Sequence, residues 1–260
     1  MMNDAIEIVQ AGGKRLREMF DTGVAVEHKG EVDLVTAADR AAEQIMVDLL
    51  RERFPDDDIL AEEGDYGRRS RERCWVLDPL DGTTNFAHGF PWFAVSLGLL
   101  RGKQLVAGVV YNPCYEELYR AEAGGGAYLN DRLLQVSTTT QLDQALLATG
   151  FPYDRKRSTL NNYDHFVHFQ QEAQACRRPG AASLDMACVA AGRFDGYWEM
   201  KLKPWDTAAG ALLVSEAGGR VSDFSGGEFN LFDPQVVASN GHIHEPMMRV
   251  LALGQSPPLL

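Results

Sequence analysis

Apolar and polar positions follow two periods along the chain, and each change of period marks a new element. Between Asp4 and Phe20, Ile6, Val9, Leu16, Met19 and Phe20 recur at helical spacing, with Gly12-Gly13 expected to break the helix. Residues 27–35 form a polar stretch read as a loop. It feeds a second helix, whose inward positions are Ala42, Ile45, Met46, Leu49 and Leu50 and which stops before Pro55. Thr36-x-x-Asp39 has capping-box spacing, with Thr36 as N-cap. Short apolar runs then replace the helical rhythm. Ile59 to Ala61, Trp75 to Leu77, Phe93 to Leu100, Leu105 to Tyr111, Glu117 to Ala121, Ala127 to Leu129 and Leu133 to Val136 read as strands. Arg101-Gly102-Lys103 is a turn between two of them and predicts antiparallel pairing.

The second half alternates. A strand from Leu146 to Thr149 precedes a helix from Leu160 to Ala175, a loop at residues 177–183 and an apolar helix from Leu184 to Ala191. A strand from Asp195 to Met200 leads to a helix that starts near Lys203, buries Ala209, Leu212, Leu213 and Ala217, and ends at Gly218-Gly219. Residues 221–223 and 236–239 read as final strands, Pro246 to Leu253 as a final helix, and the tail from Gly254 as frayed.

Candidate chemistry gathers at strand ends. The stretch Trp75-Val-Leu-Asp-Pro-Leu-Asp-Gly-Thr-Thr-Asn85 runs from a buried strand into two acids, Asp78 and Asp81. Pro79 lacks an N–H and is expected to end strand pairing, while Gly82 frees the backbone before the Thr83 and Thr84 hydroxyls. Two carboxylates followed by Gly-Thr-Thr suit hard cations beside a phosphate, although Asp-x-x-Asp-Gly by itself is also a common tight turn. Glu62 and Glu63 end the preceding strand, so neighbouring strands would bring their acids to one edge. Asp39 is either a helix-dipole acid or a partner of Thr83, and Asp206 is either an N-cap or a third carboxylate. Lys29 and Asp33 are loop charges unless the loop folds over a site. Asp56 to Asp58 reads as a solvated turn, Arg68 to Arg73 as a basic surface loop, and Gly124-Gly125-Gly126 as a bend or bulge, because no Gly-Lys-Ser/Thr follows it and it opens no helix.

Bulk properties narrow the options. The chain has 260 residues and a net charge of −12, which argues against direct nucleic-acid binding through a basic surface. No apolar run approaches the roughly 20 residues of a membrane span, and the acidic N-terminus does not read as a signal peptide. Cys74, Cys114, Cys176 and Cys188 form no Cys-x-x-Cys and suit a reducing cytoplasm. The six histidines are scattered, and neither His nor Cys is placed as a nucleophile.

Five segments in order resemble the inositol monophosphatase family of metal-dependent, lithium-sensitive phosphatases. They are Asp33-Leu-Val-Thr-Ala-Ala-Asp39, Ala61-Glu-Glu-Gly64, Trp75 to Asn85, Gly180-Ala-Ala182, and Trp205-Asp-Thr-Ala-Ala-Gly210 leading to Glu216-Ala-Gly-Gly219. The resemblance runs from Lys29 to about Asn240. It implies a layered α/β fold with alternating αβαβα layers, like that of fructose-1,6-bisphosphatase. The lobes would be 1–140, with a largely antiparallel sheet, and 141–260, with a mixed sheet. It implies Mg²⁺ held by Glu62, Asp78 and the Leu80 carbonyl, a second ion held by Asp78, Asp81 and Asp206, and a weaker third near Glu62. Thr83 and Asp39 would orient the attacking water, with Glu62 also catalytic. Gly82 and Thr83 N–H groups would meet phosphate. Gly180, Ala181, Ala182, Glu199, Asp81 and Asp206 would contact the substrate, myo-inositol 1-phosphate being the leading candidate. Fructose-1,6-bisphosphatase, histidinol phosphatase and 3′-phosphoadenosine phosphatase are rivals within the family. The resemblance also implies a homodimer, with Arg177-Arg178 near its contact. The bacterial branch further raises a regulatory protein partner in the transcription machinery.

Overall fold

A computed structural model describes residues 1–22, 26–28, 34–67 and 72–254. Lys29, Asp33, residues 68–71 and the tail beyond 254 lie outside the described residues.

Helix α1 (Met2–Thr22) runs unbroken through Gly12 and Gly13, contrary to expectation. The pair is there for closeness: a Cβ on Gly12 would stand 2.6 Å from Met46 Sδ, and one on Gly13 2.5 Å from the Tyr111 ring. Burial of this face against helix α2 (Ala37–Arg53) outweighs the helix cost of glycine, about 1 kcal/mol per residue. The stretch read as a polar loop carries a short antiparallel pair, β1 (Val26–His28) and β2 (Leu34–Thr36).

Seven strands build the first sheet: β3 (Asp58–Ala61), β4 (Arg73–Asp81), β5 (Ala94–Arg101), β6 (Gln104–Asn112), β7 (Glu117–Glu122), β8 (Gly126–Leu129) and β9 (Arg132–Leu133), in that spatial order. All neighbours are antiparallel except β3 and β4. The last strand is shorter than the sequence suggested, with Leu134 tucked into the core behind it. Helices α1 and α2 cover one face, burying Ile8, Leu16, Met46 and Leu50 against Trp75, Leu77 and Val95.

The other face carries α5 (Ala182–Ala190) and α6 (Pro204–Glu216). Small residues let α6 approach: a Cβ on Gly98 would lie 2.7 Å from that of Ala208, and one on Gly108 2.9 Å from the Ala209 Cα. These two helices are apolar all round because a second sheet covers them. That sheet has the order β11 (Ala175–Arg177), β10 (Leu146–Thr149), β12 (Gly196–Met200), β14 (Gln235–Ser239) and β13 (Arg220–Ser222), and it mixes parallel and antiparallel pairs. Helices α4 (Tyr163–Glu172) and α7 (His244–Leu253) close the outer face around Phe169, Trp198 and Met247. The layers therefore run αβαβα. Helix α4 is shorter than its apolar pattern, since Ala175 has already entered edge strand β11. No helix among the described residues is long and apolar enough to cross a membrane.

Candidate active site

Strand β4 sets the geometry. Pro79 does not end the pairing; the strand continues to Asp81, and its register against β5 slips between Asp78↔Ser96 and Asp81↔Ala94. One extra residue on β4 forms a bulge, which tolerates the missing N–H of proline. It also repairs parity. Residues three apart on a regular strand face opposite sides, and one added residue returns both to the same side. Asp78 and Asp81 thus reach one cleft. Strand β3 runs parallel to β4 with Ala61 opposite Leu77, so Glu62 leaves the sheet beside Asp78. Glu43, only 2% exposed, fixes that exit by accepting from Glu63 N–H at 2.9 Å and Tyr66 O–H at 2.7 Å.

Gly82, at φ 92°, turns the chain into the short helix α3 (Thr83–Ala87). A Cβ there would meet the Trp92 carbonyl at 2.9 Å, so both conformation and space require glycine. Thr83 Oγ1 lies 3.2 Å from Asp39 Oδ1 and 3.1 Å from the Leu80 carbonyl, its two acceptors. Asp39 is therefore a buried partner of Thr83 at the start of α2.

Helix termini supply the rest. Asp206 is the third residue of α6 rather than its N-cap, and its carboxylate accepts from Lys203 N–H at 2.6 Å. Asp81 accepts from Ala182 N–H at 3.2 Å, Ser183 N–H at 2.7 Å and Ser183 O–H at 2.5 Å at the start of α5. Glu199, on β12, accepts from Tyr197 O–H. A Cβ on Gly150 would overlap its carboxylate at 2.1 Å.

These groups line a cleft of about 310 Å³. It collects Glu62, Asp78, Leu80, Asp81, Gly82, Thr83, Gly180, Ala182, Glu199 and Asp206 from the expected set. Ala181 is not among them; it is 1% exposed and packs in the core between the sheets. Asp39 stands behind Thr83 rather than on the surface of the cleft.

Electrostatics mark the site out. Burial, then repulsion from Glu62, Asp81 and Asp206, pushes the Asp78 carboxyl well above its ordinary range. Asp206 is likewise raised by burial and by Glu62, and Asp81 is raised by burial against the opposing hydrogen bonds from Ser183. Burial lifts Glu199 to about 7. Among the described residues no three His, Cys, Asp or Glu side chains stand as a ready metal cage. The chain's own N–H and O–H donors hold the acids instead: Leu80 for Asp78, Ser183 for Asp81, Lys203 for Asp206. The donor set nonetheless fits a hard cation, being carboxylate and carbonyl oxygen throughout, with mutual repulsion that a cation would relieve.

Two residues to which the sequence assigns no role brace the loops around the cleft. Asn85 ties the β4 turn to the Gly180 loop, donating to the carbonyls of Trp92 at 2.7 Å and Pro179 at 2.9 Å. Asp185 accepts from Trp92 Nε1 at 3.2 Å and from Gly180 N–H, and burial raises its pKa. An acid inside the apolar run of α5 was the available signal. Arg178, expected near a subunit contact, lines the cleft.

The model of the inositol monophosphatase family matches residues 1–253. The chain belongs to that family. It is 46% identical over 250 residues to an inositol-1-monophosphatase of Synechocystis, covering 95% of this chain and 87% of that one. It is 42% identical to Nus factor SuhB of Escherichia coli, covering 95% and 94%. Its fold matches the inositol monophosphatase of Anabaena (Nostoc) with a TM-score of 0.89 at 42% identity, over 99% of this chain and 96% of that chain.

Proposed function

We propose that this protein is a Mg²⁺-dependent phosphatase that hydrolyses a small phosphate monoester, foremost myo-inositol 1-phosphate, by direct attack of water. The observation that carries the reading is the burial of Asp78 and Asp81, from β4, and Asp206, from α6, in one cleft with Glu62 and with raised pKa values. Family membership and the inositol-1-monophosphatase relatives support it.

Glu62, Asp78 and the Leu80 carbonyl would hold one Mg²⁺; Asp78, Asp81 and Asp206 would hold a second, with a weaker third near Glu62. Bound Mg²⁺ supplies neutralisation of the phosphate dianion and of the charge that develops on the leaving alcohol. The chain does the positioning. Thr83 Oγ1 donates its proton to Asp39 or to the Leu80 carbonyl, which leaves its lone pairs to accept from a water. That water is thereby aimed at phosphorus, with no covalent intermediate. Gly82 and Thr83 N–H groups meet phosphate oxygens. Glu199, Asp81 and the Gly180 loop read the substrate hydroxyls, with Asn85 and Asp185 holding that loop in place.

We also read the chain as two lobes, 1–140 and 141–260, supported by the confinement of each sheet to one side of that boundary. The same reading makes the protein a cytoplasmic homodimer inhibited by lithium. A panel of phosphate monoesters assayed with and without Mg²⁺ and Li⁺ tests it. Release of phosphate should require Mg²⁺ and collapse in Asp81→Asn; undiminished turnover in that variant overturns the assignment.

A second reading rests on the 42% identity to Nus factor SuhB: a protein partner in the transcription machinery. Its mark is a pull-down of transcription proteins that survives Asp81→Asn. Loss of capture in step with loss of catalysis would remove it as a separate role.

A further inference from the structure

Lys201 lines the cleft in left-handed backbone, at φ 62°. Side chains bearing a Cβ avoid that region, and lysine lacks the short local acceptor that lets Asn or Asp visit it. Something in the fold must therefore hold it there. Its ammonium donates to Asp154 Oδ2 at 2.7 Å and to Ser158 Oγ at 2.8 Å. Both partners sit on the connection between β10 and α4, the segment that lends Gly150, Phe151, Pro152 and Tyr153 to the cleft wall.

That segment is held at several points, Phe151 packing on Tyr163 and Phe166 among them. At its base the buried Asn162 donates to the Gly150 carbonyl at 2.6 Å and to Thr149 Oγ1 at 2.9 Å, and accepts from Trp198 Nε1 at 2.9 Å. At its tip stands the Lys201 ion pair with Asp154. The wall is on the alcohol side of the cleft, since Gly150 abuts the Glu199 carboxylate. Two of the three ammonium donors are spent on the segment, so Lys201 acts through it rather than on phosphate.

We propose that Lys201 is a positioning residue that determines specificity. Its tie to Asp154 and Ser158 holds the 151–158 segment so that residues 151–153 form the wall against which the alcohol part of the substrate rests. The closed wall favours compact polyol phosphates over nucleoside monophosphates. This rests on the phosphatase reading above.

The test compares wild type with Lys201→Gly, Lys201→Arg and Asp154→Asn. Amide exchange of the 151–158 peptide is followed by mass spectrometry, and KM and kcat are measured for myo-inositol 1-phosphate and adenosine 2′-monophosphate. In Lys201→Gly and Asp154→Asn, exchange should rise about threefold or more. KM for the polyol ester should rise about fivefold with kcat little changed, shifting the kcat/KM ratio toward the nucleotide. Lys201→Arg should restore the ratio. Glycine is at ease in left-handed backbone, so the melting temperature of Lys201→Gly should not fall, which separates a lost wall from a lost fold. Phosphatase activity with an unaltered substrate ratio and unaltered exchange in both variants overturns this inference alone. A wild type that hydrolyses neither ester overturns the parent reading, and the specificity claim with it.

Discussion

At the start of β4, Arg73 donates to the Asp57 carboxylate through Nε at 2.8 Å and Nη2 at 2.6 Å, and Trp75 Nε1 adds a third bond at 2.9 Å. At the other end of the same strand, Asp78 is buried among Glu62, Asp81 and Asp206, and among the described residues no ion pair joins Asp78, Asp81 or Asp206 to a cation. Both ends bury carboxylates; at the first, Arg73 closes an ion pair over Asp57. The first arrangement is self-contained and serves the fold. At the second, Asp78, Asp81 and Asp206 repel one another, and a divalent cation can relieve that repulsion. Burial of an acid is thus no sign of function by itself; several buried acids repelling one another in an open cleft are.

The largest effect should come from Asp78→Asn. It removes a shared carboxylate while keeping an acceptor for Leu80 N–H, so Mg²⁺-dependent phosphate release should fall by about three orders of magnitude, the several kcal/mol expected of lost charge stabilisation. The fold should survive, because a repelling charge has gone; thermal melting of the metal-free variant checks this. Next comes metal. Mg²⁺ at about 100 times its dissociation constant should stabilise wild type by about 2.7 kcal/mol, and chelation should reverse it. Asp78→Asn should show much less of this gain. The pH profile follows with a definite sign. The folded pKa of Asp78 lies above its unfolded value of 3.8, so the metal-free protein holds this stability below that pH and loses it as pH rises through the folded value. Urea titrations across pH should show that slope in wild type, and Mg²⁺ or Asp78→Asn should flatten it.

At the opposite end of the strand the pattern should invert. Asp57→Ala strands the Arg73 guanidinium and the Trp75 N–H, costing about 2 kcal/mol in urea unfolding after allowance for the partly exposed Arg73, with kcat of the folded protein preserved. Smallest of all, Asn85→Ala loosens the Gly180 loop and should cost about 1 kcal/mol, with a few-fold rise in KM. A drop in activity for Asp57→Ala as large as for Asp78→Asn would erase the distinction between the two ends.

Asp57 also shows where reading the chain stops. Three consecutive acids look like a solvated turn, and only the pairing of β3 with β4 brings Arg73 and Trp75 over one of them. Gly124 to Gly126 teaches the same lesson. It is a turn, yet its N–H groups do bind an anion: Gly124 N–H donates to the chain's own Glu216 carboxylate at 2.8 Å and Gly126 N–H at 2.9 Å. Glycines 12 and 13 look like breakers until the partner helix and the Tyr111 ring are in place.

The sequence alone determined the period of each element, the αβαβα layering implied by its family, and the identity of the acids at 39, 62, 78, 81 and 206. These are local or motif-borne properties, written in spacing and residue type. Tertiary structure alone decided which acid is closed by an ion pair and which acids are set against one another. It also decided that a bulge at Pro79 turns Asp78 and Asp81 to one side, and that Lys201 moors a distant segment. Charge pairing, strand register and close approach depend on partners remote in the chain, and a residue's own neighbours in sequence carry no record of them.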